Sequence, residues 1–245
     1  MSDETIGDMW NRHASGYDRA YQRHDFYRRL IARIVELASP GPGDVVLDIG
    51  TGTGALALAL APKVAKVIAI DVAPEMVKTA RAKAAEAGIT NVDVRLGGFL
   101  EPGLNEQVDV IVSSLAFEWV PDADKRRAID QMRALLRGRS RIVLGDRMLM
   151  VDPTAGADQV TQAMAEFFGT SPTEADVARR LNQLAAGVDP ATLARLGAQI
   201  ASEHREIQWR PDNLQRLFES RGFIVERVEA LSPMIGILCA SGLPD

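Results

Sequence analysis

The chain is poor in the residues that most often betray a function. Of its 245 residues only Cys239 is a cysteine, which excludes an intramolecular disulfide and a cysteine cage for zinc. The three histidines, His13, His24 and His204, are too scattered to give ligand spacing, so no metal is expected. Aromatic residues make up 5%, so the core is expected to be mostly aliphatic. No apolar run approaches the roughly 20 residues of a membrane-spanning helix. Met1-Ser2-Asp3-Glu4 is acidic and polar with no apolar stretch behind it, so no secretory signal is read. Positive charge is in deficit, 28 Lys and Arg against 33 Asp and Glu, for a net −5. That balance gives no overall attraction to nucleic acid or anionic lipid. What is left is an ordinary globular composition, 47% hydrophobic and 25% charged, with a length suited to one large domain or one domain with a cap. A soluble cytoplasmic protein is the default expectation.

Periodicity organises the chain. Tyr27, Leu30, Ile31, Ile34 and Leu37 recur at helical spacing within residues 1–43, a segment read as an N-terminal helical cap closed by Ser39-Pro40-Gly41-Pro42-Gly43. From 44 to 147 short aliphatic strands alternate with helices. Strands are expected at Asp44–Ile49, Lys66–Asp71, Val92–Leu96, Val108–Ser113 and Arg141–Gly145, and helices at Ala55–Val64, Pro74–Ala87 and Asp124–Leu136. Residues 148–208 break the rhythm and read as a helical insertion or lid. Residues 209–245 return to it with a helix at Pro211–Arg221 and strands at Phe223–Val228 and Ile235–Ala240. The expectation is an α/β fold, a doubly wound, mostly parallel seven-stranded sheet with helices on both faces. Such sheets bind ligands beyond the carboxyl ends of their strands.

The first strand runs into Asp48-Ile49-Gly50-Thr51-Gly52-Thr53-Gly54. Glycines permit a tight turn and close approach of a ligand, and they open a helix whose first amides attract electron-rich groups. The spacing is G-x-G-x-G, and the preceding Asp48 would repel a pyrophosphate while accepting hydrogen bonds from an ammonium. The second strand ends at Asp71, at the interval where an acidic residue takes ribose hydroxyls in Rossmann-like sheets. The ligand implied carries a ribose and a cationic, amino-acid-like part, without a diphosphate.

D-I-G-T-G-T-G followed by V-I-A-I-D, the fourth-strand stretch Asp109-Val110-Ile111-Val112-Ser113-Ser114-Leu115 and the late Gly222-Phe223 resemble the class I S-adenosylmethionine-dependent methyltransferases of the Rossmann-like fold, over residues 44–147 and 211–240. The resemblance implies S-adenosyl-L-methionine as cofactor and S-adenosyl-L-homocysteine as product. It also implies that Gly50, Thr51, Gly52 and Gly54 lie under the methionine part, with Asp48 on its ammonium side. Asp71 would take the ribose. Val72, Met76, Gly98 and Phe99 would lie near the adenine, and Ser113, Ser114 and Leu115 near the sulfonium. The family's frequent aspartate after the third strand is missing, since Gly97-Gly98-Phe99-Leu100-Glu101 stands there.

Methyl transfer asks for alignment, exclusion of water and at most one proton acceptor. Ala116-Phe117-Glu118-Trp119-Val120 departs from the family's histidine pair and resembles the Gln-Trp of the menaquinone and biotin-pathway group or the Phe-Glu-His of cyclopropane-forming enzymes. Glu118 is a candidate base or holder of a cationic substrate, with a solvated turn residue as the plain alternative, and Trp119 is assigned to packing. The N-terminal Trp10-Asn11-Arg12-His13-Ala14-Ser15-Gly16-Tyr17-Asp18 resembles the family's cofactor-covering helix, which makes His13 and Tyr17 further catalytic candidates.

Residues 125–147 carry eight basic side chains, Lys125, Arg126, Arg127, Arg133, Arg137, Arg139, Arg141 and Arg147, against Asp130 and Asp146. The cluster raises a tRNA or rRNA methyltransferase as the alternative to a small-molecule enzyme. The net charge and the lack of an Asn-Pro-Pro-Tyr-type motif weigh against it, so nucleic acid is not the expected partner. An NAD-dependent oxidoreductase is disfavoured by the G-x-G-x-G spacing, and a binding protein without catalysis stays open. A homodimer, the acceptor and its reacting atom are not legible, because fold does not fix function.

Overall fold

A computed structural model describes residues 7–8, 10–11, 25–148, 150, 211–232 and 235–242. Seven strands form one sheet, β1 (Val45–Ile49), β2 (Lys66–Asp71), β3 (Val92–Leu96), β4 (Val108–Ser114), β5 (Leu136–Arg147), β6 (Phe223–Ser232) and β7 (Ile235–Gly242), in the order β3-β2-β1-β4-β5-β7-β6. The first five pair in parallel, while β7 runs antiparallel to both β5 and β6. The helices are α1 (Asp25–Ala38), α2 (Ala55–Leu60), α3 (Pro74–Glu86), α4 (Lys125–Leu135) and α5 (Pro211–Ser220).

The parallel strands are near-continuous aliphatic runs because both of their faces are covered. On one face Leu30 and Ile34 of α1, Leu56 and Leu60 of α2 and Val77 and Ala80 of α3 pack against Val46, Val67 and Val110. On the other, Ile129 and Met132 of α4 and Leu214 and Phe218 of α5 pack against Leu47, Ile68 and Ile111. Four phenylalanines gather there. Phe99, Phe117, Phe218 and Phe223 touch in a chain of tilted and edge-on pairs with ring centroids 5.1–6.3 Å apart. Within the N-terminal segment, α1 is part of the core, and a side chain on Gly145 of β5 would strike its Ile34 and Leu30.

Of the boundaries that differ from the sequence reading, among them the end of β6 at Ser232 and not Val228, two have a local physical reason. The helix expected over Ala55–Val64 stops at Leu60 and tightens into a 3₁₀ turn over Ala61–Lys63, because Pro62 has no N–H to continue the ladder. The fifth strand begins at Leu136 and not Arg141. Leu136 pairs with Val108, and Arg141 already with Val110, so the intervening residues bulge through Gly138 at φ 57°. No described helix is long and apolar enough to cross a membrane. Nearly all of the expected insertion at 148–208 lies outside the described residues, as do His13, Tyr17, His24 and His204.

Candidate functional site

Register brings the ends of β1 and β2 level, with Ile49 opposite Ile70, and Asp71 opposite Leu96 of β3. From Ile49 the chain enters the glycine loop. The N–H groups of Gly50 and Thr51 both donate to the Ile70 carbonyl, at 2.8 and 3.0 Å, which anchors the loop on the tip of β2. Gly50 is required twice over. Its φ is 72°, and a Cβ there would collide with the Cβ of Ala116, which rests in the space the absent side chain leaves.

Two buried carboxylates support the loop. Asp48 is 1% exposed, and its Oδ2 accepts the Thr51 hydroxyl at 2.7 Å. Its Oδ1 has no hydrogen-bond partner among the described residues. Burial pushes its pKa up to about 7, against the pull of the Thr51 hydroxyl and with a further push from the Asp71 charge. Asp71 accepts the Gly52 N–H on Oδ2 at 2.8 Å and the Ala73 N–H on Oδ1 at 2.9 Å. Burial raises it to about 6, opposed by those amides. A ribose role alone would leave folding nearly indifferent to Asp71. The geometry adds a second task, tying the glycine loop to the start of α3. Each oxygen accepts one bond and keeps capacity for another donor.

Above these groups lies a pocket with about 620 Å³ of empty space, including its open mouth. Nine residues singled out from the sequence line it: Gly50, Gly52, Asp71, Val72, Met76, Gly98, Phe99, Ser114 and Leu115. Asp48, Thr51, Gly54 and Ser113 are close by but do not line it. The Ser113 hydroxyl donates to the Ile49 carbonyl at 2.8 Å, joining β4 to β1, whereas the buried Ser114 hydroxyl has no partner among the described residues. Gly54 serves packing, since a Cβ there would sit 3.1 Å from the Ala80 Cβ on α3.

The far wall was not legible. Ala116, Trp119 and Val120, just past β4, and Trp10 from the N-terminal segment line the pocket. Trp10 packs on Ala73 and Met76 and meets Trp119 edge-on, with centroids 5.4 Å apart. Asn11 explains how that segment docks. Its Oδ1 accepts the Glu75 N–H at 3.1 Å, capping α3, whose own N-cap residue Ala73 has no side chain able to do so. The small Ala116 opposite Gly50 was the available signal. Trp119, assigned to packing, is a wall residue.

Glu118 lies behind that wall and is neither solvated nor among the lining residues. It is 2% exposed, with Oε2 3.1 Å from Nε of Arg147, and its N–H donates to Oδ2 of Asp146 at 2.8 Å. Glu118 therefore faces Arg147 and Asp146, and not the pocket lining. Asp146 is itself 4% exposed and held well above the usual carboxylate range by burial and by the charge of Glu118.

Five of the eight basic side chains of 125–147 are engaged at separate places. Lys125 is buried, with Nζ 2.6 Å from the Val120 carbonyl and 3.1 Å from Asp122. Arg137 grips Asp109 with two nitrogens, Arg133 donates to the Arg221 carbonyl, Arg141 to the Leu37 carbonyl, and Arg147 faces Glu118. These partners lie in different parts of the fold, so the five are not spent on one shared basic patch.

A model of the methyltransferase domain matches residues 46–139. Aklanonic acid methyltransferase of Streptomyces sp. (strain C5) is 29% identical over 230 residues, 92% of this chain and 87% of that protein. An uncharacterised methyltransferase of Geobacillus kaustophilus is 32% identical over 166 residues, 66% of this chain and 75% of that protein. Among solved structures, the [4+2]-cyclase SpnF superposes with a TM-score of 0.70 at 14% identity, covering 100% of this chain and 97% of that one. The N-methyltransferase NodS of Bradyrhizobium japonicum, in complex with S-adenosylhomocysteine, gives 0.59 at 16% identity, covering 90% and 89%. The structural likenesses speak for the fold alone, since a cyclase shares it. The sequence likenesses speak for the reaction.

Proposed function

The chain belongs to the class I S-adenosylmethionine-dependent methyltransferases, and on that premise we propose that it methylates a small organic acceptor held between the glycine loop and the wall formed by Trp10, Trp119 and Val120. The residues present fit the cofactor. Asp48 has a buried carboxylate oxygen with no hydrogen-bond partner among the described residues, suited to an ammonium reached directly or through water. Asp71 has spare acceptor capacity for ribose hydroxyls. Val72, Met76 and Phe99 offer apolar faces to a flat heterocycle. When bound, S-adenosylmethionine supplies an electrophilic methyl group on a sulfonium.

The chain's own work is then to bind, orient and exclude water. Gly50 and Gly52 bring backbone close to the ligand, and the aromatic wall removes water from the β4 side, where electrostatic attraction strengthens as solvent leaves. Aklanonic acid, for which one relative is named, is a small organic molecule, and this supports an acceptor of that size. A cytoplasmic location accords with such an enzyme. The observation that carries the reading is the pocket itself, with Asp71 in its lining on one side of β1, Trp119 past β4 on the other, and Trp10 meeting Trp119 edge-on across it. Mass spectrometry of the purified protein should find S-adenosylmethionine or S-adenosylhomocysteine, and a screen of metabolite pools with isotopically labelled cofactor should find a labelled small product. Label appearing only in RNA would replace this acceptor class.

A further inference from the structure

We propose that Lys125 and Asp146 are positioning residues, two buried polar side chains that pin the turn 116–120 on either side of Trp119 and thereby hold Trp119 as a wall of the pocket; the inference rests on reading that pocket as the methyl-transfer site. The turn needs holding. It opens at Leu115, whose φ of 54° is costly for a bulky side chain and persists only where neighbours impose it. Beyond Leu115 the chain makes one 3₁₀ turn, Phe117–Trp119, closed by Trp119 N–H to Ala116 and Val120 N–H to Phe117. So short a helix is not stable by itself.

Buried side chains secure it at two points. At its middle residue, Oδ2 of Asp146 accepts the Glu118 N–H at 2.8 Å, and its Oδ1 accepts the Arg147 N–H at 2.9 Å. At the finish, Nζ of Lys125 donates to the Val120 carbonyl at 2.6 Å and lies 5.4 Å from the centre of the Phe117 ring. Lys125 is 1% exposed and Asp146 4%. Well-packed apolar side chains of the same volume often stabilise a core as well as buried charges do. They could not accept the N–H of Glu118 or donate to the carbonyl of Val120, the two backbone groups that bracket Trp119. The same pinning keeps Ala116 in the space beside Gly50.

The test needs no knowledge of the acceptor. The three tryptophans are replaced by 5-fluorotryptophan, the Trp119 line is assigned in the ¹⁹F spectrum with Trp119→Phe, and S-adenosylhomocysteine is the probe. In the unsubstituted protein the Trp119 line should be sharp and should shift on binding. Lys125→Met keeps length and apolar bulk, and Asp146→Asn keeps shape. Each should fold, displace or broaden the Trp119 line without ligand, and weaken S-adenosylhomocysteine by about tenfold. Convergence of two changes on either side of Trp119 on one indole is not expected of two unrelated core residues. An unaltered Trp119 line and affinity in either folded variant would overturn the inference. So would failure of both variants to fold, which would make the two residues core elements alone. Absence of S-adenosylhomocysteine binding by the unsubstituted protein would instead overturn the methyl-transfer reading.

Discussion

Asp71 at the end of β2 and Asp146 near the end of β5 are the same device put to different use. Each buried carboxylate accepts two backbone N–H groups, Gly52 and Ala73 in one case, Glu118 and Arg147 in the other. Asp71 lines the pocket, and its remaining acceptor capacity points the β2 side toward polar ligand groups. Asp146 does not line it. Around Asp146 the charges of Glu118, Arg147 and Lys125 stand behind a wall whose inner surface is aromatic and aliphatic. One side of β1 thus uses a strand-end carboxylate to meet a ligand, and the other uses it to hold apolar residues in place.

The largest effect should come from Asp71→Ala, which tests whether the β2 side does both tasks. Loss of two charge-assisted bonds to a ribose should weaken S-adenosylhomocysteine by about 2–4 kcal/mol, roughly 30- to 1000-fold. Leaving the Gly52 and Ala73 amides without acceptors should also lower folding stability by about 1–3 kcal/mol. Calorimetry and thermal melts separate the two. Unchanged affinity would remove the carboxylate from the ligand, and an unchanged melt would remove it from the loop.

Glu118→Gln tests the other side. With Arg147 only a quarter exposed, breaking their pair should cost about 1–3 kcal/mol of stability, discounted for solvent at the guanidinium. Cofactor affinity should stay within a few-fold. A loss of 10²–10⁴ in kcat with an unaltered melt would assign the base role to Glu118. That the sequence suggested a base shows what pattern can and cannot carry. The glycine loop, Asp71 and the parallel strands were readable because local chemistry sets them: positive φ, a strand-end acid, continuous aliphatic runs. The wall depends on contacts distant in sequence. Trp10 reaches the pocket through Asn11 capping α3, and Glu118 turns away because Asp146 and Arg147 wait 28 and 29 residues on. No spacing rule registers those pairings. The same long range divides the basic cluster, four of whose members bond to Asp109, Arg221, Leu37 and Glu118.

The pH dependence of binding sharpens the charge contrast. Asp48 is raised to about 7 and Asp71 to about 6, both by burial. For an acid whose folded pKa is raised, the stabilising contribution is complete below the ordinary carboxylate range and is lost as pH rises through 6 to 7. The free protein should therefore lose stability from these two groups between about pH 4 and 7. A ligand ammonium prefers the ionised Asp48, so affinity for S-adenosylhomocysteine should fall by about tenfold per pH unit below 7, with uptake of the ligand releasing a proton. Calorimetry in buffers of different ionisation enthalpy reads that proton directly. Affinity constant from pH 5.5 to 8 would place the ammonium away from Asp48.

The smallest effects belong to two neighbours on β4 that stand between the two sides. Ser113 is 1% exposed and donates to the Ile49 carbonyl, so its hydroxyl is already spent on joining β4 to β1. Ser113→Ala should cost about 1 kcal/mol of stability and leave S-adenosylhomocysteine binding within twofold. Ser114 is 8% exposed, lines the pocket, and carries a hydroxyl without a partner among the described residues. Removing a buried hydroxyl that makes no bond recovers part of its desolvation cost, so Ser114→Ala should leave the melt unchanged or slightly raised. If the ligand satisfies that hydroxyl, the same change should weaken binding by about 1 kcal/mol, roughly fivefold. The pair is informative because the substitutions are chemically identical and adjacent, differing in which way the hydroxyl is directed. Opposite outcomes, stability lost at 113 and affinity lost at 114, would locate the boundary of the ligand between two consecutive residues of one strand. Affinity lost at 113 instead would mean that the Ile49 carbonyl, once released, no longer holds the start of the glycine loop, and that the loop's geometry depends on β4 as well as on β2.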